Sequence, residues 1–238
     1  MTRKLLTLAL TLLLSATFLM SMTVEEIINK SLEAAGGSQK YADMKSLKMV
    51  GKMNMMGMEI KMTLFNKKPC FRMEQEMMGQ KMISAYNGKT GWMINPMTGS
   101  SDPQEVPEEM MAGMKKQADM GQNPIAQMKA DGITSTLEGK ETVDGVESYK
   151  IKMVTKEKEE SFLFINSSTY LPLKITSKQE VMGNMADVEM LFKDYKTFSG
   201  ITFATKMEMN ASGQAITIIF DSIEPNAAID DSLFEMPK

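Results

Sequence analysis

Two spacings of apolar residues alternate along this chain. From Thr23 to Gly37 the spacing is helical: Val24, Ile27, Ile28, Leu32 and Ala35 share one face, Thr23 and Glu26 have capping-box spacing, and Gly36 and Gly37 supply a stop. From Ser46 the period falls to two. Met58, Ile60, Met62 and Leu64 alternate with Glu59, Lys61 and Thr63, and Phe71, Met73 and Met77 alternate with Arg72, Glu74 and Glu76. Gly57, the Lys67 to Pro69 corner, Gly79 and the Asn87-Gly88 pair fall where hairpins need turns. The pattern predicts a meander of long antiparallel strands with one apolar face.

The stretch from about Ser101 to Asp131 breaks the alternation. Prolines at 103, 107 and 124 and a Met110, Met111, Met114 spacing predict a helix from about Pro107 to Met120 and a shorter one after Pro124. Strand signals resume at Ile133 to Glu141, Tyr149 to Met153, Phe162 to Ile165, Leu171 to Ile175, Val188 to Phe192, Ile201 to Phe203 and Ile216 to Phe220. The charged run from Lys156 to Glu160 reads as a solvated hairpin tip. A single antiparallel sheet of about ten strands has to curl, and its apolar concave face has to be covered by the helices. The predicted class is therefore α+β, mainly β: a curved antiparallel sheet forming an unclosed half-barrel, with helices over the concave face.

The N-terminus changes where such a domain would work. Arg3 and Lys4 precede an apolar run from Leu5 to Leu14, followed by the small residues Ser15, Ala16 and Ser21, which is the composition of a secretory signal. Residues 1–21 are read as the signal and 22–238 as a single domain outside the cytoplasm. No cysteine follows the run, so lipid attachment at that point has no acceptor; Cys70 is the only cysteine.

Composition narrows the chemistry. Histidine is absent, which removes the commonest general base and metal ligand, and no nucleophile elbow, dinucleotide fingerprint, phosphate loop or CxxC spacing is present. Glu105, Glu108 and Glu109 are placed as the start of a helix favours. The net charge of −3, or −5 once Arg3 and Lys4 are removed, argues against nucleic acid as a partner. The chain reads as a binding protein without catalytic activity or cofactor.

The 28 methionines leave three readings open. Met55, Met56 and Met58 offer clustered thioethers of the kind that select Cu(I), although alternation sends Met55 and Met56 to opposite faces. Methionine is also ordinary core material. Thirdly, an unbranched, adaptable side chain can line a cavity that repacks around apolar guests of differing shape. On that reading the lining comes from Met53, Met58, Ile60, Met62 and Leu64 on the first hairpin. Phe71, Met73, Met77 and Trp92 follow on the next strands, and Met110, Met111 and Met114 on the inserted helix. Periodicity does not separate a cavity from a filled interior.

The segments "KKPCFRMEQ" and "AYNGKTGWMINP" resemble the LolA/LolB-like outer-membrane lipoprotein-sorting family, as do "TYLPLKIT" at 169–176 and the closing "IDDSLFEMP". The resemblance implies an unclosed barrel with a helical lid over a cavity for lipoprotein acyl chains. The family also includes relatives that sense or bind lipids without shuttling lipoproteins, so an envelope-stress or lipid sensor on the same fold is the alternative it leaves open. The resemblance also implies a monomer in the periplasm that exchanges cargo with inner-membrane donor and outer-membrane acceptor proteins, with transient contact to membrane surfaces. In that family a basic residue before the strand-start proline helps hold the lid closed. The matching position is Lys68, with Arg72 as a second candidate latch.

Overall fold

The computed structural model describes residues 22–119, 125, 132–181, 184–211 and 213–237. The proposed signal and all of the short helix expected after Pro124, apart from the buried Ile125, lie outside the described residues.

Helix α1 (Val24–Ala34) starts where its sequence requires, with both hydrogen bonds of the Thr23–Glu26 capping box formed. A short α2 (Ser38–Asp43) follows. The first meander comprises β1 (Leu47–Met55), β2 (Met58–Lys67), β3 (Cys70–Met77), β4 (Gln80–Tyr86), β5 (Gly91–Asn95) and β6 (Ser100–Glu105). Helix α3 (Glu108–Asp119) then precedes the second meander. It comprises β7 (Thr134–Val143), β8 (Val146–Val154), β9 (Glu160–Asn166), β10 (Pro172–Val181), β11 (Asn184–Phe198), β12 (Ile201–Ala211) and β13 (Gln214–Pro225). Four hairpins turn on two residues that both have positive φ, Met56-Gly57, Met78-Gly79, Asp144-Gly145 and Ser199-Gly200. This is the type I′ geometry that matches strand twist.

Among the described residues the strands form one 13-stranded sheet, ordered β6-β5-β4-β3-β2-β1-β13-β12-β11-β10-β9-β8-β7. Two meanders are thus welded by β1 against β13, and the sheet ends at two unpaired edges, β6 and β7. The connection between those edges carries α3, so chain order alone sends the helix across the opening of the half-barrel. A bulge between Val50 and Gly51 shifts the register against β13 at the centre of the sheet, the kind of defect that increases local twist. A side chain at Gly51 would collide there with the Ile219 carbonyl.

Three helices cover different parts of the concave face. Ile27, Ile28 and Leu32 of α1 pack on Ile151, Met153, Leu163 and Ile165. Met114 and Ala118 of α3 pack on Phe71 and Tyr86. Tyr41 of α2 meets Ile201 and Phe203.

The half-barrel and its helical cover are as the periodicity implies, but the sheet has thirteen strands rather than about ten. The strand not anticipated in the broken middle segment is β6, SSDPQE, which has no apolar alternation and contains Pro103. It is tolerated because it is an edge, where a missing N–H leaves no ladder partner unsatisfied.

Candidate functional site

Strand register fixes which side chains share the concave face. Met49, Met53 and Met55 of β1 lie opposite Leu64, Ile60 and Met58 of β2. Leu64 then faces Met73, and Asn66 faces Phe71, on β3. Across the weld, Met49, Met53 and Met55 pair with Ile223, Ile218 and Ile216, and Ile218 and Ile216 pair with Met207 and Met209. The result is a continuous apolar surface from β4 through β1 to β11.

Cover on this surface is uneven. Ile60, Met62 and Phe71 are buried, whereas Met53, Met55, Met58, Leu64, Met73 and Met77 remain half-buried. Two concavities of about 770 and 520 Å³ lie elsewhere. The first, at the tips of β9 to β11, is rimmed by Glu159, Glu160, Asp187 and Glu189, and the second lies beside Lys67 and Asn226. Neither is lined by the methionines of β1 to β3.

The lid is α3. Met114 is buried, Met111 is half-buried, and both seat against Gly91 of β5, where a Cβ would come within 2.6 Å of Met114 Sδ and 3.6 Å of Met111 Cγ. Met110 is 55% exposed, so of the three lid methionines expected in the lining it alone turns outward. The helix is latched by Asn66. Its side-chain amide is buried and donates to the carbonyls of Ala118 at 2.9 Å and Gln117 at 3.2 Å. These belong to the last turn of α3, whose carbonyls have no partner within the helix.

Of the two latch candidates, Arg72 lies elsewhere. Lys68 is exposed beside the cis Lys68–Pro69 bond. Arg72 and Trp92 alternate away from the groove and pack on the convex face, which removes Trp92 from the groove lining. Trp92 is 1% exposed, its Nε1 donates to the Phe234 carbonyl at 2.7 Å, and the Arg72 guanidinium stacks 5.4 Å from its ring centre. Arg72 Nη1 also donates to the Leu233 carbonyl, and Lys67 Nζ binds the Ile229 carbonyl and Asp231. Together they strap the C-terminal segment, with its 3₁₀ turn at Asp231–Phe234, across the outside of the sheet. Arg72 and Lys81 both pair with Glu74. Burial works to raise the Glu74 carboxyl, but hydrogen bonds from Lys81 and Arg72 outweigh it and hold the group below its usual range.

Asn66 was hidden in the period-two reading because it occupies an apolar-face position after Met62 and Leu64. A polar residue at the end of an apolar stripe was the available signal. Of the thioethers considered for copper, Met55 and Met58 are cross-strand partners on the groove face, while Met56 projects from the turn, 72% exposed.

An unclosed antiparallel barrel with a helical lid is the LolA-like fold. The chain belongs to a family described as "Uncharacterized protein", which matches it over residues 70–238. Solved structures share the fold, among them the following three. The chain is similar to a DUF1329 family protein from Desulfovibrio piger, at 14% identity and TM-score 0.60, covering 90% of this chain and 98% of that one. It is similar to a LolA superfamily protein from Nitrosomonas europaea, at 14% identity and TM-score 0.55, with the same coverage of 90% and 98%. A putative outer membrane lipoprotein-sorting protein domain from Vibrio parahaemolyticus matches at 13% identity and TM-score 0.55, covering 87% and 97%. No curated protein matches the sequence.

Proposed function

We propose that this chain is a monomeric, non-catalytic carrier of the bacterial periplasm that binds acyl chains of lipoproteins or lipids in the groove between its sheet and α3, for transfer towards the outer membrane. Residues 1–21 direct export and 22–238 act as one domain. One observation carries the reading: the concave face is a continuous methionine and isoleucine surface on which Met53, Met55, Met58 and Met73 stay only half-buried around the buried Ile60 and Met62, although three of the described helices pack on it. A face meant only as core would be filled by its own side chains. Methionines that retain access to the opening can repack around a chain of variable length, each buried methylene contributing about 0.8 kcal/mol. The fold shared with a lipoprotein-sorting domain supports the same reading.

Native mass spectrometry of the protein purified from its host envelope, followed by organic extraction, tests it. Bound lipid or acylated protein near unit stoichiometry is the expected result, with displacement by added fatty acid. Copper without lipid would shift the function to the paired Met55 and Met58. A clean apo mass that takes up no acyl ligand would end the carrier reading.

A further inference from the structure

Hairpin connectivity gathers the turns of this sheet on two opposite rims. Register places the end pairs Met55–Met58, Met77–Gln80, Val154–Glu160, Val181–Asn184 and Ala211–Gln214 on one of them, together with the Pro96–Thr98 turn that follows β5. Methionines project from this rim with little to pack on: Met56 is 72% exposed, Met78 83%, Met97 61% and Met185 69%. Alternate hairpins of a sheet set their tips roughly 10 Å apart, so Met56 and Met78 form part of one apolar edge.

Two of these residues occupy a disfavoured conformation. Met56 and Met78 have φ of 51° and 52°, at the first central position of type I′ turns, where Asn, Asp and Gly are favoured and a long side chain is not. The two type I′ turns on the opposite rim carry Asp144 and Ser199 at the same position. Among these four turns the first central residue is therefore polar on one rim and methionine on the other. Burial does not explain the difference, because both methionines are exposed.

Charge indicates what covers them. Residues 54–58, 77–80, 94–101 and 211–215 contain no ionisable side chain, whereas the β8–β9 tip at the far end of the same rim carries Lys156, Glu157, Lys158, Glu159 and Glu160. The lysines behind the first two turns are each neutralised by a glutamate, in the pairs Lys52–Glu59, Lys61–Glu76 and Lys81–Glu74. The β1–β6 part of the rim thus offers neither the basic cluster that recognises anionic lipid nor the aromatic and arginine anchors of a protein interface. Apolar tips in front of a charge-neutral belt match the interface of a zwitterionic bilayer. Behind the tips, half-buried Met55, Met58, Met77 and Met82 continue into the groove.

We propose that the β1–β6 part of this rim, tipped by Met56, Met78 and Met97, docks on the surface of a zwitterionic phospholipid bilayer and is the end through which acyl chains enter and leave the groove. The docking surface rests on the carrier reading for its purpose, though not for its detection. The test is flotation of the purified protein with phosphatidylcholine vesicles, at low and high salt, beside a Met56→Asp/Met78→Asp variant. Aspartate is the residue that the opposite rim uses in this turn, so the variant retains the hairpins. The wild type is expected to float independently of salt, and the variant to lose at least about tenfold in bound fraction, since two methionines no longer enter the apolar layer. Uptake of a fluorescent fatty acid from buffer, measured in parallel, should be equal in both. A wild type that does not float, or a variant that floats equally, overturns the docking surface even where fatty acid is bound. Sedimentation as a dimer that the double variant dissolves would assign the rim to a second copy and overturn it too. Rim-dependent flotation without fatty-acid uptake would leave the docking surface standing and remove the carrier reading.

Discussion

Asn66 Nδ2 lies 2.9 Å from the Ala118 carbonyl, so a side chain on the sheet closes the end of the helix that covers it. Both groups are largely withdrawn from water, and opening the lid exchanges two buried hydrogen bonds for bonds to solvent. Replacing Asn66 by Ala should cost about 1–2 kcal/mol of lid closure, or roughly tenfold in the open population. Amide hydrogen exchange reads it directly: α3 should exchange faster while β8 and β9 do not change. Unchanged protection of α3 would show that its apolar contacts alone hold it.

Gly91 makes the second half of the closure possible. A leucine there would drive into Met114 Sδ, which lies 2.6 Å from the position of a Cβ. Gly91→Leu should destabilise the lid by about 1–3 kcal/mol, as overpacking does, and Met114→Ala should restore part of the loss. Urea unfolding of the two single variants and the double variant measures the coupling; strictly additive effects would show that the residues do not meet.

Trp92 belongs to the C-terminal strap and not to the groove. Trp92→Phe keeps a ring but leaves the Phe234 carbonyl without its donor, an expected loss of about 1–2 kcal/mol in global stability. Fatty-acid affinity should stay at the wild-type value. A brominated fatty acid should likewise fail to quench the single tryptophan strongly, and contact quenching would put the ligand on the convex face.

Acid should loosen the same strap. The Glu74 carboxyl is held below its ordinary value of 4.5 in the folded protein. Its contribution is therefore complete above that value and is lost as pH falls through the lower folded value. Thermal melts should show a falling midpoint on acidification below about pH 4.5, and Glu74→Gln should flatten that limb. Identical acid limbs in both proteins would rule out Glu74 as a contributor.

How much of this was legible beforehand differs by element. Period-two runs located the apolar stripes of β1 to β3, and the capping box at Thr23 and Glu26 marked where α1 begins, because both signals are local and short-range. β6 was not legible, since an edge strand with Pro103 is held by neighbours rather than by its own pattern. The latch could be approached only through a family resemblance that pointed to Lys68 and Arg72. Asn66 also reaches α3, and its partners are 51 and 52 positions away in the chain. Trp92 was misplaced for a related reason. Alternation does assign it the face opposite Met93, but nothing local says that the opposite face is covered by Leu233 and Phe234.

By itself, the order of residues determined that this chain makes a mainly antiparallel sheet with one apolar face and a methionine-bearing helix between two meanders. Those properties follow from side-chain periodicity and turn chemistry within a few residues. Tertiary structure alone decided that β1 welds to β13, which leaves two edges unpaired and puts α3 across the opening. It also decided that Met53, Met55, Met58 and Met73 stay only half-buried on the concave face, and that the exposed methionines of separate hairpins share one rim. Each of these depends on contacts between residues far apart in the chain, whose geometry is set by sheet twist and register rather than by any local preference.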